Sequence, residues 1–202
     1  MNQSSTAPAP ALRVGFGVTG SFCTFRQVME QLQACAAQDG WDIQPLMSAI
    51  SYETDTRFGR AEDFIRQMET LTGKPVWHTV AQAEPIGPKK LLDVMVVAPC
   101  TGNTLGKLAN GITDTSITMA VKAHLRNARP VVLAVSTNDA LSGSARNIGQ
   151  LLGTRNLYFV PMRQDSFSGK PTSIVADFTQ LIPTIQAALE GRQLQPLTLP
   201  PL

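Results

Sequence analysis

The sequence predicts an α/β fold: a single domain whose doubly wound parallel sheet lies between two helical layers, an αβα sandwich. Three observations predict it. Short apolar runs alternate with amphipathic stretches along most of the chain, the pattern of strands joined by helical crossovers. Two of the runs, 91–98 and 130–136, are almost continuously apolar, as strands covered on both faces are. The 202 residues, 43% of them hydrophobic, suffice for one well-buried domain and not for two full ones.

Met1 to Ala11 is polar, rich in Ser, Pro and Ala, and without charged side chains. It lacks the basic start and apolar middle of a signal peptide, and is expected to be a disordered tail. The domain then spans 12–190. Leu12 to Val18 is an apolar strand that stops at Thr19-Gly20-Ser21, with a helix over 24–38 ending near Gly40. Ile43 to Ala49 is a second strand. Phe64, Ile65, Met68 and Leu71 recur at helical spacing, which predicts a helix over 60–71 closed by Gly73. Residues 76–80 suggest a short strand, and 91–98 is the clearest one. Pro99 should end it, because proline cannot continue a ladder. Helices follow over 104–109 and 116–127, then a strand over 130–136, a helix over 145–152 and a strand over 157–161. A closing helix is expected over 174–189, with a Pro-rich exposed tail over 191–202.

Composition excludes several functions. A net charge of +2, with Lys89-Lys90 the densest basic pair, argues against nucleic-acid binding. No apolar stretch approaches the ~20 residues of a membrane helix. Cys23, Cys35 and Cys100 form no CxxC pair, which suggests reduced thiols in a cytoplasmic protein. Two histidines far apart in sequence, His78 and His124, make a metal site improbable.

Ligands of doubly wound sheets bind at the carboxyl ends of the strands. The segments to inspect are therefore 19–24, 48–58, 98–104, 136–144 and 161–171. Gly15-Phe16-Gly17-Val18-Thr19-Gly20 spells GxGxxG, but a dinucleotide fingerprint follows a finished strand and opens a helix. Here only Leu12 to Val14 would precede it, and no acidic residue ends the second strand. A better reading carries the strand through Val18. Gly20 then allows close backbone approach, Ser21 and Thr24 offer hydroxyls, and the following helix presents free N–H groups to one phosphate. The alternative is that Ser21 only caps that helix. After Pro99, small side chains at Cys100, Thr101 and Gly102 leave room for a flat ligand. Asn103 can cap the next helix or hydrogen-bond a polar ring.

The stretch APCTGNTLGKLANGITD, from Ala98 to Asp114, resembles the Pro-x-Ser-x-Asn-Thr-x-x-Lys-x-Ala-x-Gly-x-x-Asp motif of the FMN-binding flavoprotein family that includes the homo-oligomeric cysteine decarboxylases. VTGSFCTF, VSTNDALSGSARNIGQL and FVPMRQDSFSGKPTSIVADF extend the resemblance over nearly the whole chain. It implies a Rossmann-like, flavodoxin-like fold, assembly as trimers or dodecamers, and FMN at an interface between protomers. Carried over to this sequence, Thr19, Gly20, Ser21, Thr24 and Ser48 would surround the phosphate. Pro99, Cys100, Thr101 and Asn103 would line the ring and ribityl region. Ser136, Thr137 and Asn138 would form a second flavin-facing strand end. TDTRFG, AEPIGPKK and APCTGNT narrow the resemblance to one branch of the family. Its members act with a separate dehydrogenase-like protein, which brings NADP, on a small dicarboxylate of the lysine pathway in the mother cell of a sporulating bacterium.

Departures from the family pattern matter as well. The position of the decarboxylases' catalytic histidine, counted back from Asp93, holds Pro85, and their Pro-Ala-Met-Asn is Val135-Ser136-Thr137-Asn138. Flavin-dependent decarboxylation is therefore doubtful here, and a non-catalytic assembly protein with a vestigial pocket is a further alternative. Cys100 is either a small buried hydrophobe or a reactive thiol. Arg57, Arg146, Arg163 and Lys170 are the candidates for a dicarboxylate, guanidinium groups being suited to it, and each is alternatively a surface charge.

Overall fold

The computed structural model describes residues 11–201, so the tail expected over residues 1–11 lies, apart from Ala11, outside the described residues. In chain order the elements are β1 Leu12–Val18, α1 Phe25–Ala36, β2 Trp41–Met47, α2 Ala49–Glu53, α3 Ala61–Thr72 and α4 Val80–Ala83. Then come β3 Val94–Cys100, α5 Gly102–Ala109, α6 Ser116–Leu125, β4 Val131–Thr137 and α7 Ala145–Leu152. β5 Leu157–Phe159, β6 Met162–Ser166, β7 Lys170–Ala176 and α8 Leu181–Leu189 complete the chain.

The seven strands form one mixed sheet in the order β2-β1-β3-β4-β7-β6, with β5 also on β4. β1 to β5 are parallel, while β7 pairs antiparallel with both β4 and β6. The outer edge of β4 is shared: β5 covers Val131–Leu133 and β7 covers Ser136 and Thr137. Alternation along β1 divides the core. Val14, Phe16 and Val18 join the layer of α1, α3 and α8, whereas Met95 and Val97 of β3 join that of α5, α6 and α7.

Gly15 and Gly17 face that second layer from inside β1. A Cβ on Gly15 would lie 2.5 Å from Leu92 Cδ1, and one on Gly17 would lie 2.8 Å from Ile117 Cδ1. These two glycines let Ile117 of α6 and Leu92, just before β3, pack against the sheet. The GxGxxG spelling is packing inside a strand.

The structure differs from the sequence expectations most at four places. Residues 76–80 form no strand; Trp77 makes one bridge to Leu46, and α4 starts at Val80. β3 begins at Val94: the Leu91 N–H donates to the Ile86 carbonyl, and Asp93 joins β1 through its side chain, which accepts from the Arg13 N–H at 3.0 Å and pairs with the Arg13 guanidinium at 2.7 Å. Nor does β3 end at Pro99. It runs on to Cys100, and its register with β4 shifts between Val97 and Cys100, around the residue that has no N–H to give. The parallel sheet expected throughout gains an antiparallel hairpin, since 162–176 is β6 and β7 rather than loop and helix. The stretch after Gly191 is largely exposed yet bound: Gln193 bonds both Phe159 backbone groups, and Leu197 and Leu199 pair with Met162. Among the described residues no helix is long and apolar enough to cross a membrane.

Candidate functional site

Three strand ends meet over a hydroxyl-rich knot. The Thr19 hydroxyl donates to the Pro99 carbonyl at 2.7 Å and accepts from the Thr101 N–H at 3.1 Å, tying the bend after β1 to the end of β3. Ser21 Oγ and Ser136 Oγ share a hydrogen bond of 2.8 Å, joining the same bend to the end of β4. On the other side the Ser48 N–H bonds the Val18 carbonyl, and Ser48 Oγ shares a bond of 2.9 Å with Ser51 Oγ. The first and third strands therefore present their bends side by side.

Two clefts open on this knot and share Gly20 and Thr101. One, of about 460 Å³, is bounded by Thr19, Ser48, Ile50, Asn103 and Lys107. The other, of about 450 Å³, is bounded by Ser21, Arg57, Phe58, Ser136, Asn138 and Lys170. Each volume falls within the ~300–1,000 Å³ usual for small-molecule sites. Gly20 sits where they join, and a Cβ there would press on Ile50 Cγ2 at 3.2 Å.

Thr19, Gly20, Ser21, Ser48, Thr101, Asn103, Ser136, Thr137 and Asn138 all line this double cleft. Thr24, Pro99 and Cys100 line neither half. The Thr24 hydroxyl donates to the Ser21 carbonyl at 2.8 Å, and Pro99 contributes only its carbonyl to the knot. Cys100 is wholly buried among the residues of the α5–α7 layer, where burial pushes its thiol up. Ser21 makes no side-chain cap bond to the following turn, so its hydroxyl faces Ser136 instead. Thr101 caps α5 by accepting from the Thr104 N–H at 3.2 Å, and among the described residues the Asn103 amide has no hydrogen-bond partner.

The four cationic candidates separate. Arg57 and Lys170 line the second cleft. Lys170 pairs with Asp165 at 2.7 Å, and that hydrogen bond raises its pKa. Arg163 pairs with Asp177 and faces a different hollow beside Gln27 and Phe178. Arg146 is exposed at the start of α7, outside both halves.

Two features of the site escape sequence reasoning. Phe58 is one, although the glycine after it marks a tight turn. The other is Asp139, which accepts from Thr137 Oγ1 at 2.6 Å and from Ser144 Oγ at 3.0 Å, holding the loop after β4. Gly102 lies against this cluster: a Cβ there would come 2.6 Å from Thr137 Oγ1 and 2.8 Å from both Asp139 Oδ1 and Ser144 Oγ. Gly102→Ala should therefore lower stability by about 1–2 kcal/mol, because two partly buried hydrogen bonds must break. That loss outweighs the helix-propensity gain at a first-turn position. Urea unfolding checks it, and equal or higher stability of the variant would refute the packing argument.

Small groups at the strand ends, paired hydroxyls and the free first N–H groups of α5 suit a ligand with one anionic end and a flat body. The family described as Flavoprotein matches residues 2–165. The chain belongs to the Flavoprotein family. This flavoprotein is 44% identical over 185 residues to the B subunit of dipicolinate synthase from Bacillus subtilis (strain 168), covering 92% of each chain. The crystal structure of the corresponding dipicolinate synthase protein from Bacillus halodurans superposes with a TM-score of 0.87 at 42% identity, over 96% of this chain and 98% of that one. The FMN-dependent cysteine decarboxylase SpaF gives a TM-score of 0.65 at 26% identity, over 88% and 97% of the two chains. The first two relatives represent the branch to which TDTRFG, AEPIGPKK and APCTGNT point.

Proposed function

We propose that this flavoprotein is the B subunit of dipicolinate synthase. It acts with the separate, dehydrogenase-like A subunit to convert the dihydrodipicolinate-type precursor of the lysine pathway to dipicolinate, in the mother-cell cytoplasm of a sporulating bacterium. The observation that carries this reading is the 44% identity to the Bacillus subtilis protein over 92% of both chains. Dipicolinate has two hydrogens fewer than its dihydro precursor, so the ring becomes aromatic by a two-electron oxidation, and any dehydration precedes it. NADP enters through the dehydrogenase-like partner.

The residues present fit FMN. Ser21, Ser136 and Ser48 would supply hydroxyls for its phosphate end, and Gly20 would let the backbone come close. The Asn103 amide and Thr101, both lining the first cleft, would offer hydrogen bonds to a polar ring edge. Bound there, the flavin would supply two-electron redox chemistry. Arg57 and Lys170 bring positive charge to a dicarboxylate at the cleft mouth. Pro85, on the turn Glu84–Ile86, has no proton to transfer, which disfavours a decarboxylase. We assign a homo-oligomer, trimeric or dodecameric; one fold relative is described as a dodecameric FMN-dependent decarboxylase.

The test is reconstitution. Purified chain should carry flavin absorbance, and adding it to the dehydrogenase-like partner should raise dipicolinate formation. Full formation by that partner alone would reject an essential role.

A further inference from the structure

The segment between α2 and α3 is a rigid turn that displays one aromatic ring. Thr56 and Gly59 exchange both backbone hydrogen bonds, at 3.0 and 3.1 Å, and the Phe58 N–H donates to Thr56 Oγ1 at 3.1 Å. Asp55 Oδ1 accepts from the Ala61 N–H at 2.8 Å, which fixes the turn to the start of α3. Gly59 has φ +146°, and a Cβ on it would lie 2.7 Å from the Phe64 ring, so both conformation and space require glycine.

Arg57 and Phe58 occupy the tip, with the guanidinium carbon 4.8 Å from the Phe58 ring centroid. Both line the cleft that holds Ser136 and Asn138. Phe58 is 45% exposed, although a phenyl ring gains most when buried. Arg57 makes no ion pair among the described residues, while Lys170 is already held by Asp165. The turn thus leaves one aromatic face and one unpaired guanidinium together at the mouth of the site.

The geometry points to Phe58 as a specificity-determining residue: its ring takes the face of a flat, conjugated substrate ring while Arg57 takes a carboxylate on that ring. This rests on the dipicolinate reading above and deepens it, because the site then reads planarity as well as charge. A pyridine or dihydropyridine ring offers a π face to Phe58. A saturated ring with the same two carboxylates is puckered and offers only C–H groups.

Calorimetric titration of the full chain tests it, with dipicolinate and with the cyclohexane dicarboxylate of the same meta spacing as probes. The wild-type chain should prefer dipicolinate by about three- to tenfold. Phe58→Leu should lose that preference at unchanged flavin content, and Phe58→Tyr should keep it. Arg57→Gln should weaken both ligands alike, by about tenfold. An unchanged preference in Phe58→Leu would overturn the inference. So would loss of flavin from that variant, which would place Phe58 against the cofactor. Absent stimulation of the dehydrogenase-like partner alongside an intact ring preference would reject the dipicolinate synthase role alone.

Discussion

On the proposed function, Ser21→Asp should empty the cleft of flavin and leave the fold intact. Ser21 Oγ stands 2.8 Å from Ser136 Oγ at the bend after β1, and a carboxylate in its place can still accept from the Ser136 hydroxyl. The chain therefore tolerates the change. A phosphate does not, because it would meet a like charge. One such pair about 4 Å apart costs about 4 kcal/mol at an effective dielectric constant of 20. Affinity should fall by about a thousandfold, at about 1.4 kcal/mol per factor of ten. Ser21→Ala removes only a hydrogen bond to a charged group and should weaken binding about tenfold. Visible absorbance per chain, before and after incubation with FMN, reads both variants beside their melting temperatures. Full flavin content in the Asp variant would place the phosphate end elsewhere.

Most of the sheet was legible because burial on two faces leaves continuous apolar runs, as in β3 and β4. The hairpin of β6 and β7 was not. Gly169 and Pro171 carry turn signals, and Ile174 to Ala176 merge with the apolar start of α8. What makes 170–176 a strand is the edge of β4 beyond β5, where Ser136 and Thr137 need partners. That demand is tertiary and leaves no local signature. The same holds within the site. The motifs around Thr19 and Thr101 located the cleft, yet the bond joining Ser21 to Ser136 spans 115 residues.

Cys100 illustrates the limit most sharply. Simple alternation from Met95 and Val97 would turn residue 99 toward the α5–α7 layer and residue 100 away from it. The register shift at Pro99 changes the parity, so Cys100 joins Met95 and Val97 in the core. A proline was readable; the side on which the chain emerges from its bulge was not.

Acid should destabilise the chain through His124. This side chain is 1% exposed in α6, and its Nε2 has no hydrogen-bond partner. Desolvation, with the charge of Arg129 next in size, lowers its pKa from 6.5 to about 4, while Asp93 and the Pro130 backbone only partly oppose this. The folded-state pKa is depressed, so no stability is lost above the unfolded value of 6.5. As pH falls from there to about 4 the unfolded chain takes up a proton that the folded chain refuses. The loss totals about 3 kcal/mol at about 1.4 kcal/mol per unit. Asp93, lowered by its bond to Arg13, loses its contribution as pH falls through 3.8, mostly below this window, and does so equally in the His124 variant. Denaturant unfolding near pH 7.5 and pH 4 should therefore show a steep fall for the wild-type chain. His124→Leu, which keeps the volume and removes both the titration and the orphaned nitrogen, should be flatter by about 3 kcal/mol. Parallel pH profiles for the two chains would mean that His124 is charged in the fold and that another group titrates in its place.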